Sequence, residues 1–221
     1  MSQTKKHPYD QWSPDARALD VMGDKWTLLI VRDLLSGPRR FVNLQRTLPG
    51  ISTEQLRSRL NRMVADGLLT RQRYREVPPR VDYELTAIGR DLADTLGAVA
   101  RWGWAWQWGA PRRGEAVDVT ALFRLAPAVL APPKSLRGVV ELGVDETFYA
   151  LTISRGNVEV AEGRPEHADA SLLADTAGWV EALLAGEQPG LIDLVGNASL
   201  GMFVFDGLAA SGGVMEIRQA A

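Results

Sequence analysis

Ser52, Thr53, Gln55, Arg57, Ser58, Arg59 and Arg62 fall within a single stretch, and each carries a hydroxyl, an amide or a guanidinium. No histidine or cysteine stands among them to act as a base or nucleophile, so the chemistry on offer is recognition. A Gln amide matches the adenine edge, and an Arg guanidinium matches the guanine edge. Hydroxyls and guanidinium groups also bind phosphate oxygens. The spacing predicts a helix from Ser52 to Ala65, with Leu56, Leu60, Met63 and Val64 on one buried stripe. Gln55, Ser58, Asn61 and Arg62 then share the opposite side, and Arg57 and Arg59 flank the stripe. Ser52 caps the helix, and Gln55 three residues on completes a capping box. On this pattern Gln55, Ser58 and Arg62 are the candidate base contacts. Ser52, Thr53, Arg57 and Arg59 are candidate contacts to the backbone of a nucleic acid. A solvated surface helix carries similar residues, and this stretch alone does not separate the two readings.

A second cationic group follows. Arg71, Arg73 and Arg75 alternate, which puts them on one face of a strand. With Glu76 to Pro79 as the loop of a hairpin, Arg75 stands opposite Arg80, Arg73 opposite Asp82 and Arg71 opposite Glu84. Opposed unlike charges attract. This register predicts that Arg71 and Arg73 are neutralised within the sheet, and that Arg75 and Arg80 at the tip await an anion. Arg39, Arg40 and Asn43, after Gly37-Pro38, form a third candidate phosphate contact, or else a solvated turn.

The elements that must position these groups are short. Helices are expected at Ala16–Met22, Lys25–Leu35, Phe41–Leu48 and Ser52–Ala65, punctuated by Gly23, Gly37-Pro38, Pro49-Gly50 and Gly67. Strands at Leu69–Arg75 and Arg80–Leu85 lead into a long helix, Thr86–Trp108. Beyond it the pattern turns to α+β. Strands are expected at Val139–Leu142, Thr147–Ile153, Asn157–Ala161, Ala168–Leu172 and Val195–Leu200, with a helix at Thr176–Leu184 and another after the last strand. Arg155-Gly156-Asn157 marks a tight turn.

Charge divides the chain at the same place. Residues 1–114 hold 19 Lys and Arg against 12 Asp and Glu, and residues 115–221 hold 6 against 15. A basic half suits a polyanion and an acidic half avoids one. The expected domains are 1–110, for DNA binding and dimerisation, and 117–221, an α+β effector domain, joined by a linker at 111–116 that contains Pro111 and Gly114. The sequence has no cysteine and two histidines, His7 and His167, which argues against thiolate chemistry, a metal site and a cofactor-dependent enzyme. With 46% hydrophobic and 24% charged residues, no apolar run of membrane-spanning length and no leader pattern at Met1–His7, a cytoplasmic protein is expected.

The segments ARALDVMGDKWTLLIVRDLLSGPRRFVNLQRTLPGIS and LRSRLNRMVADGLLTRQRYREVPPRVDYELTAIGR resemble the HxlR family of bacterial winged helix-turn-helix regulators. The resemblance covers about Tyr9 to Trp108. It rests on Gly-Asp-Lys-Trp, Gly-Pro-Arg-Arg-Phe, Leu-Pro-Gly-Ile-Ser and Val-Pro-Pro-Arg-Val-Asp-Tyr occurring in that order. It implies a homodimer on a near-palindromic operator in double-stranded DNA, joined through the N-terminal and long terminal helices, with Ser52–Ala65 in the major groove. Several members carry a cysteine before the proline of the first helix. Here that position is Ser13, whose hydroxyl cannot replace a thiolate, so thiol sensing does not carry over.

From about Val117 the chain is similar, on fewer motifs, to the sterol carrier protein-type α+β fold. The similarity rests on Ala168-Asp-Ala-Ser-Leu172, the Thr176–Leu184 helix, Gly186, Val195-Gly-Asn-Ala-Ser-Leu200 and Phe203. It implies a sheet and helices around an apolar tunnel, and hence an apolar small-molecule effector, with no lining residue assignable. A domain that only stabilises the dimer or recruits a partner is the competing reading. Trp102, Trp104, Trp106 and Trp108 divide between two faces of the long helix. One pair is expected to pack in the dimer or DNA-binding domain and the other on the C-terminal domain, with an aromatic pocket wall as the alternative. The whole is read as a ligand-responsive transcriptional regulator. The alternative is a carrier of lipid or another hydrophobic ligand whose winged domain mediates protein contacts.

Overall fold

The computed structural model describes residues 9–75, 80–186 and 190–209. The N-terminal half runs α1 (Pro14–Met22), α2 (Thr27–Leu34), β1 (Arg39–Arg40), α3 (Phe41–Thr47), α4 (Thr53–Ala65), β2 (Leu69–Tyr74), β3 (Arg80–Leu85) and α5 (Ala87–Trp106). The C-terminal half runs α6 (Thr120–Val129), β4 (Gly138–Val144), β5 (Thr147–Ser154), β6 (Asn157–Glu162), β7 (Ala170–Ala174), α7 (Thr176–Ala185), β8 (Asp193–Gly196) and α8 (Ala198–Ala209).

Local chemistry sets the boundaries. Ser13 caps α1, with Pro14 at the first helical position. Asp24 accepts from the backbone N–H groups of Trp26 and Thr27 at 2.8 and 3.1 Å and so starts α2. Thr86 accepts from the N–H of Gly89 and donates to the Gly67 carbonyl, which fixes the turn from β3 into α5. Leu56, Leu60 and Met63 of α4 join Ile30, Val31, Leu44 and Leu85 in one apolar core. Each such side chain, fully buried, stabilises the fold by about 1.5–3 kcal/mol.

The N-terminal sheet has the order β1-β3-β2. The C-terminal sheet has the order β6-β5-β4-β7-β8, with β4 and β7 parallel and the other pairs antiparallel. Its core brings Phe123 of α6, Trp179 of α7 and Phe205 of α8 together over Tyr149 and Leu172. The Trp179 indole donates to the Gly143 carbonyl at 2.7 Å, so the largest buried side chain leaves no donor unpaired.

Two departures from the expected elements have clear causes. The sequence reading assigns no element between Val117 and Arg137, yet α6 lies there with Pro127 inside it. Val119, Phe123, Ala126 and Leu130 supply the helical stripe and all are buried. The expected strand Val195–Leu200 ends at Gly196, which has φ +86°, and Asn197 then accepts from the N–H of Leu200 and starts α8. Arg155-Gly156 does form the tight turn between β5 and β6, both residues having positive φ.

The halves meet through α2, α5 and α6. Leu96 and Trp104 of α5 pack on Leu125 of α6, with Leu28 and Leu35 alongside. At Gly97 a Cβ would lie 2.0 Å from the Ala128 carbonyl oxygen, so only glycine allows this helix contact. Trp104 is thus the buried member of the Trp series. Trp102 and Trp106 are 59% and 60% exposed, and Trp108 lies in the chain beyond α5.

Candidate nucleic-acid interface

Helix α4 has the predicted capping box: Gln55 N–H donates to Ser52 Oγ, and Ser52 N–H to Gln55 Oε1, both at 3.1 Å. The Gln55 carbonyl is therefore engaged at the cap, while its exposed amide nitrogen keeps its donors. Ser58 and Asn61 are exposed on the outer side of the helix. Arg62, expected on that outer side as a base contact, and the flanking Arg57 and Arg59 are all tied to the chain itself. Arg57 pairs with Glu54 at 2.8 Å, Arg62 with Asp66 at 2.8 Å and Arg59 with Asp24 at 3.0 Å. Thr53 accepts from the Gln45 amide at 2.8 Å. Glu54, absent from the sequence-based set, stands in the first turn of α4 and partly neutralises its basic face.

The hairpin register differs from the expected one. Tyr74 pairs with Arg80, Arg73 with Val81, Gln72 with Asp82, Arg71 with Tyr83 and Thr70 with Glu84. The expected loop, Glu76 to Pro79, lies outside the described residues. A slip of one residue exchanges which side chains stand opposite one another. Arg71 and Arg73 consequently face no carboxylate. They are exposed, as is Arg75, and the three make no ion pair among the described residues. The order inverts at the tip, where Arg80 binds both carboxylate oxygens of the buried Asp82, two residues along its own strand, and stacks over the Tyr74 ring at 5.0 Å. Arg40, on the neighbouring strand β1, approaches the same carboxylate at 3.9 Å.

Arg39 requires a correction. Its guanidinium is 7% exposed and turned into the protein, where Nη2 donates to Glu162 Oε2 at 2.8 Å, to the Tyr149 hydroxyl at 3.1 Å and to Ser36 Oγ at 3.3 Å. It cannot reach a phosphate without breaking the contact between the two halves. Arg40, the next residue on an extended strand, points the other way and is half exposed. Asn43 is partly buried, and its carbonyl accepts from Thr47 Oγ1.

Behind this face lies a buried polar network that sequence reasoning missed. Asp33 of α2, 0% exposed, accepts from Arg32, from Thr47 Oγ1 at 2.6 Å and from Arg124 Nε at 3.1 Å. Arg124 of α6 also donates to Asp118 at 2.6 Å and to the Tyr149 hydroxyl at 3.0 Å. Burial works to raise the Asp118 carboxyl, but the Arg124 charge and the Thr120 hydroxyl outweigh it and hold the group below its ordinary range. Burial likewise opposes the charge on Arg124, yet Asp33 and Asp118 push its pKa up, so it stays cationic. One signal was legible: an arginine on the apolar stripe of a helix needs a buried anion.

Comparison with known proteins bears on the same region. Residues 21–110 match the HxlR-like helix-turn-helix family. An uncharacterized HTH-type transcriptional regulator of Synechocystis, sll1512, is 40% identical over 93 residues, which are 42% of this chain and 69% of that protein. The regulator YybR of Bacillus subtilis is 35% identical over 104 residues, 47% of this chain and 83% of that protein. Among solved structures, the reduced form of the transcriptional regulator YodB from B. subtilis aligns at 30% identity, with a TM-score of 0.40, over 44% of this chain and 96% of that one.

Proposed function

Since the chain belongs to the HxlR-like helix-turn-helix family, we propose that it is a transcriptional regulator that binds double-stranded DNA as a homodimer. Its family and relatives are regulators of transcription, not enzymes. The observation that carries the reading is the row of Arg71 and Arg73 on β2 with Arg75 just beyond its end, three exposed cations beside a helix whose outer side offers the Gln55 amide, Ser58 and Asn61. In this reading α4 enters the major groove, where those groups meet base edges. The β2 row and Arg40 bind phosphates. Arg57 joins in by exchanging the Glu54 carboxylate for a phosphate, an exchange of small net cost because that pair is exposed, whereas Arg80 stays on the buried Asp82.

The dimer is supported by a stripe on α5. Ile88, Val99, Trp102 and Trp106 lie at i, i+11, i+14 and i+18, on one side of the helix, and each is at least 50% exposed. The α5 side that carries Leu96 and Trp104 packs on α6, so among the described residues this stripe is left exposed. Two copies joined there present two α4 helices, which suits a near-palindromic operator. We assign residues 1–110 to DNA binding and dimerisation, 111–116 to the linker and 117–221 to a sterol carrier-like effector domain. What supports the last is a five-stranded sheet packed by α6, α7 and α8 around an apolar core. A regulator of a bacterial genome works in the cytoplasm, and no described helix is long and apolar enough to cross a membrane.

The test is selection of random duplex DNA by the purified protein, followed by titration of the selected site against a scrambled duplex at several salt concentrations. The expected result is a two-fold symmetric motif bound with a steep salt dependence. Equal affinity for the scrambled duplex at every salt concentration would refute the reading.

A further inference from the structure

A cleft of about 930 Å³ opens between the two halves, under the chain that joins α5 to α6. Its apolar lining comes from both halves: Trp26 and Leu29 from the entry and first turn of α2, Leu122 from α6, Leu183 from α7, and Trp108 from the connecting segment. That size and lining are those of small-molecule sites, which are mostly apolar with a few oriented polar groups.

Charge decides what kind of molecule fits. Lys25, Arg32, Arg46 and Arg112 line the cleft with Glu115 and Asp118. Arg32 is committed to Asp33, and Asp118 to Arg124. The Lys25 ammonium rests over the Trp26 ring at 4.5 Å. The guanidinium groups of Arg46 and Arg112 make no ion pair with any described residue, and Glu115 accepts from the backbone N–H of Arg112. The cleft thus offers an apolar floor and three cations not held in ion pairs, against one remaining carboxylate. A neutral lipid would leave those cations unmatched, and an inorganic anion would leave the apolar floor uncovered.

We infer that this cleft is a binding site for an amphipathic organic anion, its apolar body against Trp26, Leu122 and Trp108 and its anionic group held by Arg46 and Arg112. The site deepens the effector part of the proposed function and moves it out of the C-terminal core to the junction of the halves. Arg46, Thr47, Leu48 and Pro49 line the cleft and lead directly into Ser52, the cap of α4. A ligand here touches the segment that sets the position of that helix.

Decanoate, with 1-decanol as its uncharged counterpart, tests the inference by calorimetry on the full chain without DNA, so the outcome is independent of the DNA-binding reading. One decanoate should bind per chain, with decanol at least tenfold weaker. The double variant Arg46→Gln/Arg112→Gln should weaken decanoate about tenfold or more, and Trp108→Ala should also weaken it. The variant Lys134→Gln/Arg137→Gln removes the same charge at exposed positions outside the cleft and should leave binding unchanged. Absence of saturable binding, equal binding of decanol, or equal weakening by the two double variants would overturn the site.

Discussion

Arg124 Nε donates to Asp33 Oδ1 at 3.1 Å, and the two side chains are 1% and 0% exposed. This ion pair joins α6 to α2 and thereby locks the acidic half of the chain to the basic one. Removing one member of a buried pair strands the other, at a cost on the order of 3 kcal/mol. Arg124→Leu should lower stability by about that amount in urea titrations. Because the pair spans both halves, fluorescence and circular dichroism transitions should then cease to coincide. An unchanged midpoint would mean that the pair does not couple them.

Acid should attack the same network through Asp118. Its carboxyl is held below the ordinary range in the folded chain, so the unfolded chain binds a proton at higher pH. The stability it adds is present above the unfolded pKa and is lost as pH falls through the folded value. Asp118→Asn should be less stable than the parent at pH 7 and show a shallower loss between about pH 5 and 3. Parallel stability–pH curves would contradict this assignment.

Gly97 and Gly103 share α5 but meet different surroundings. A Cβ at Gly97 would lie 2.0 Å from the Ala128 carbonyl oxygen, whereas one at Gly103 has nothing within 4 Å. Overpacking typically costs about 1–3 kcal/mol, and a helical Gly to Ala change in open space gains roughly 0.5–1 kcal/mol. Gly97→Ala should therefore destabilise and Gly103→Ala stabilise in thermal melts. The same sign for both would show that α5 and α6 are not in this contact.

Trp102 and Trp106 are exposed on a side of α5 that is not covered by any described residue of the chain. Trp102→Glu/Trp106→Glu should weaken self-association at least tenfold in sedimentation experiments while leaving the far-UV spectrum unchanged. A variant that remains dimeric at the parent's concentration range would remove this stripe from the interface.

Arg73 and Arg39 make opposite predictions for DNA. Each phosphate contact contributes about 0.9 to the log–log salt slope. Arg73→Gln should flatten the slope by about that amount without loss of stability. Arg39→Gln should leave the slope alone but destabilise the chain, since it removes the bonds to Glu162 and Tyr149. A flatter slope for Arg39→Gln would return it to the phosphate contacts.

Much of the N-terminal half could be read directly. The Ser52/Gln55 capping box, the Leu56, Leu60 and Met63 stripe and the breaks at Gly23 and Gly67 are local, set by propensity and by the 3.6-residue period. The β5–β6 turn at Arg155-Gly156 is local in the same sense. Helix α6 was less legible, because Pro127 masks a stripe that burial makes decisive.

The sequence alone determined which residues could serve recognition, because a guanidinium, an amide and a capping hydroxyl keep their chemistry wherever they stand. It also determined the helical face that carries Ser58 and Asn61, since that face follows from periodicity. Only the tertiary structure decided which cations are spent. Arg39 is drawn inward by Glu162 and Tyr149, partners more than a hundred residues away. Arg71 and Arg73 are freed by a one-residue register that no local rule fixes. Asp33 and Arg124, 91 residues apart, meet only because packing α6 on α2 excludes water from both. Long-range partners set burial and charge balance, and the order of residues along the chain does not encode them locally.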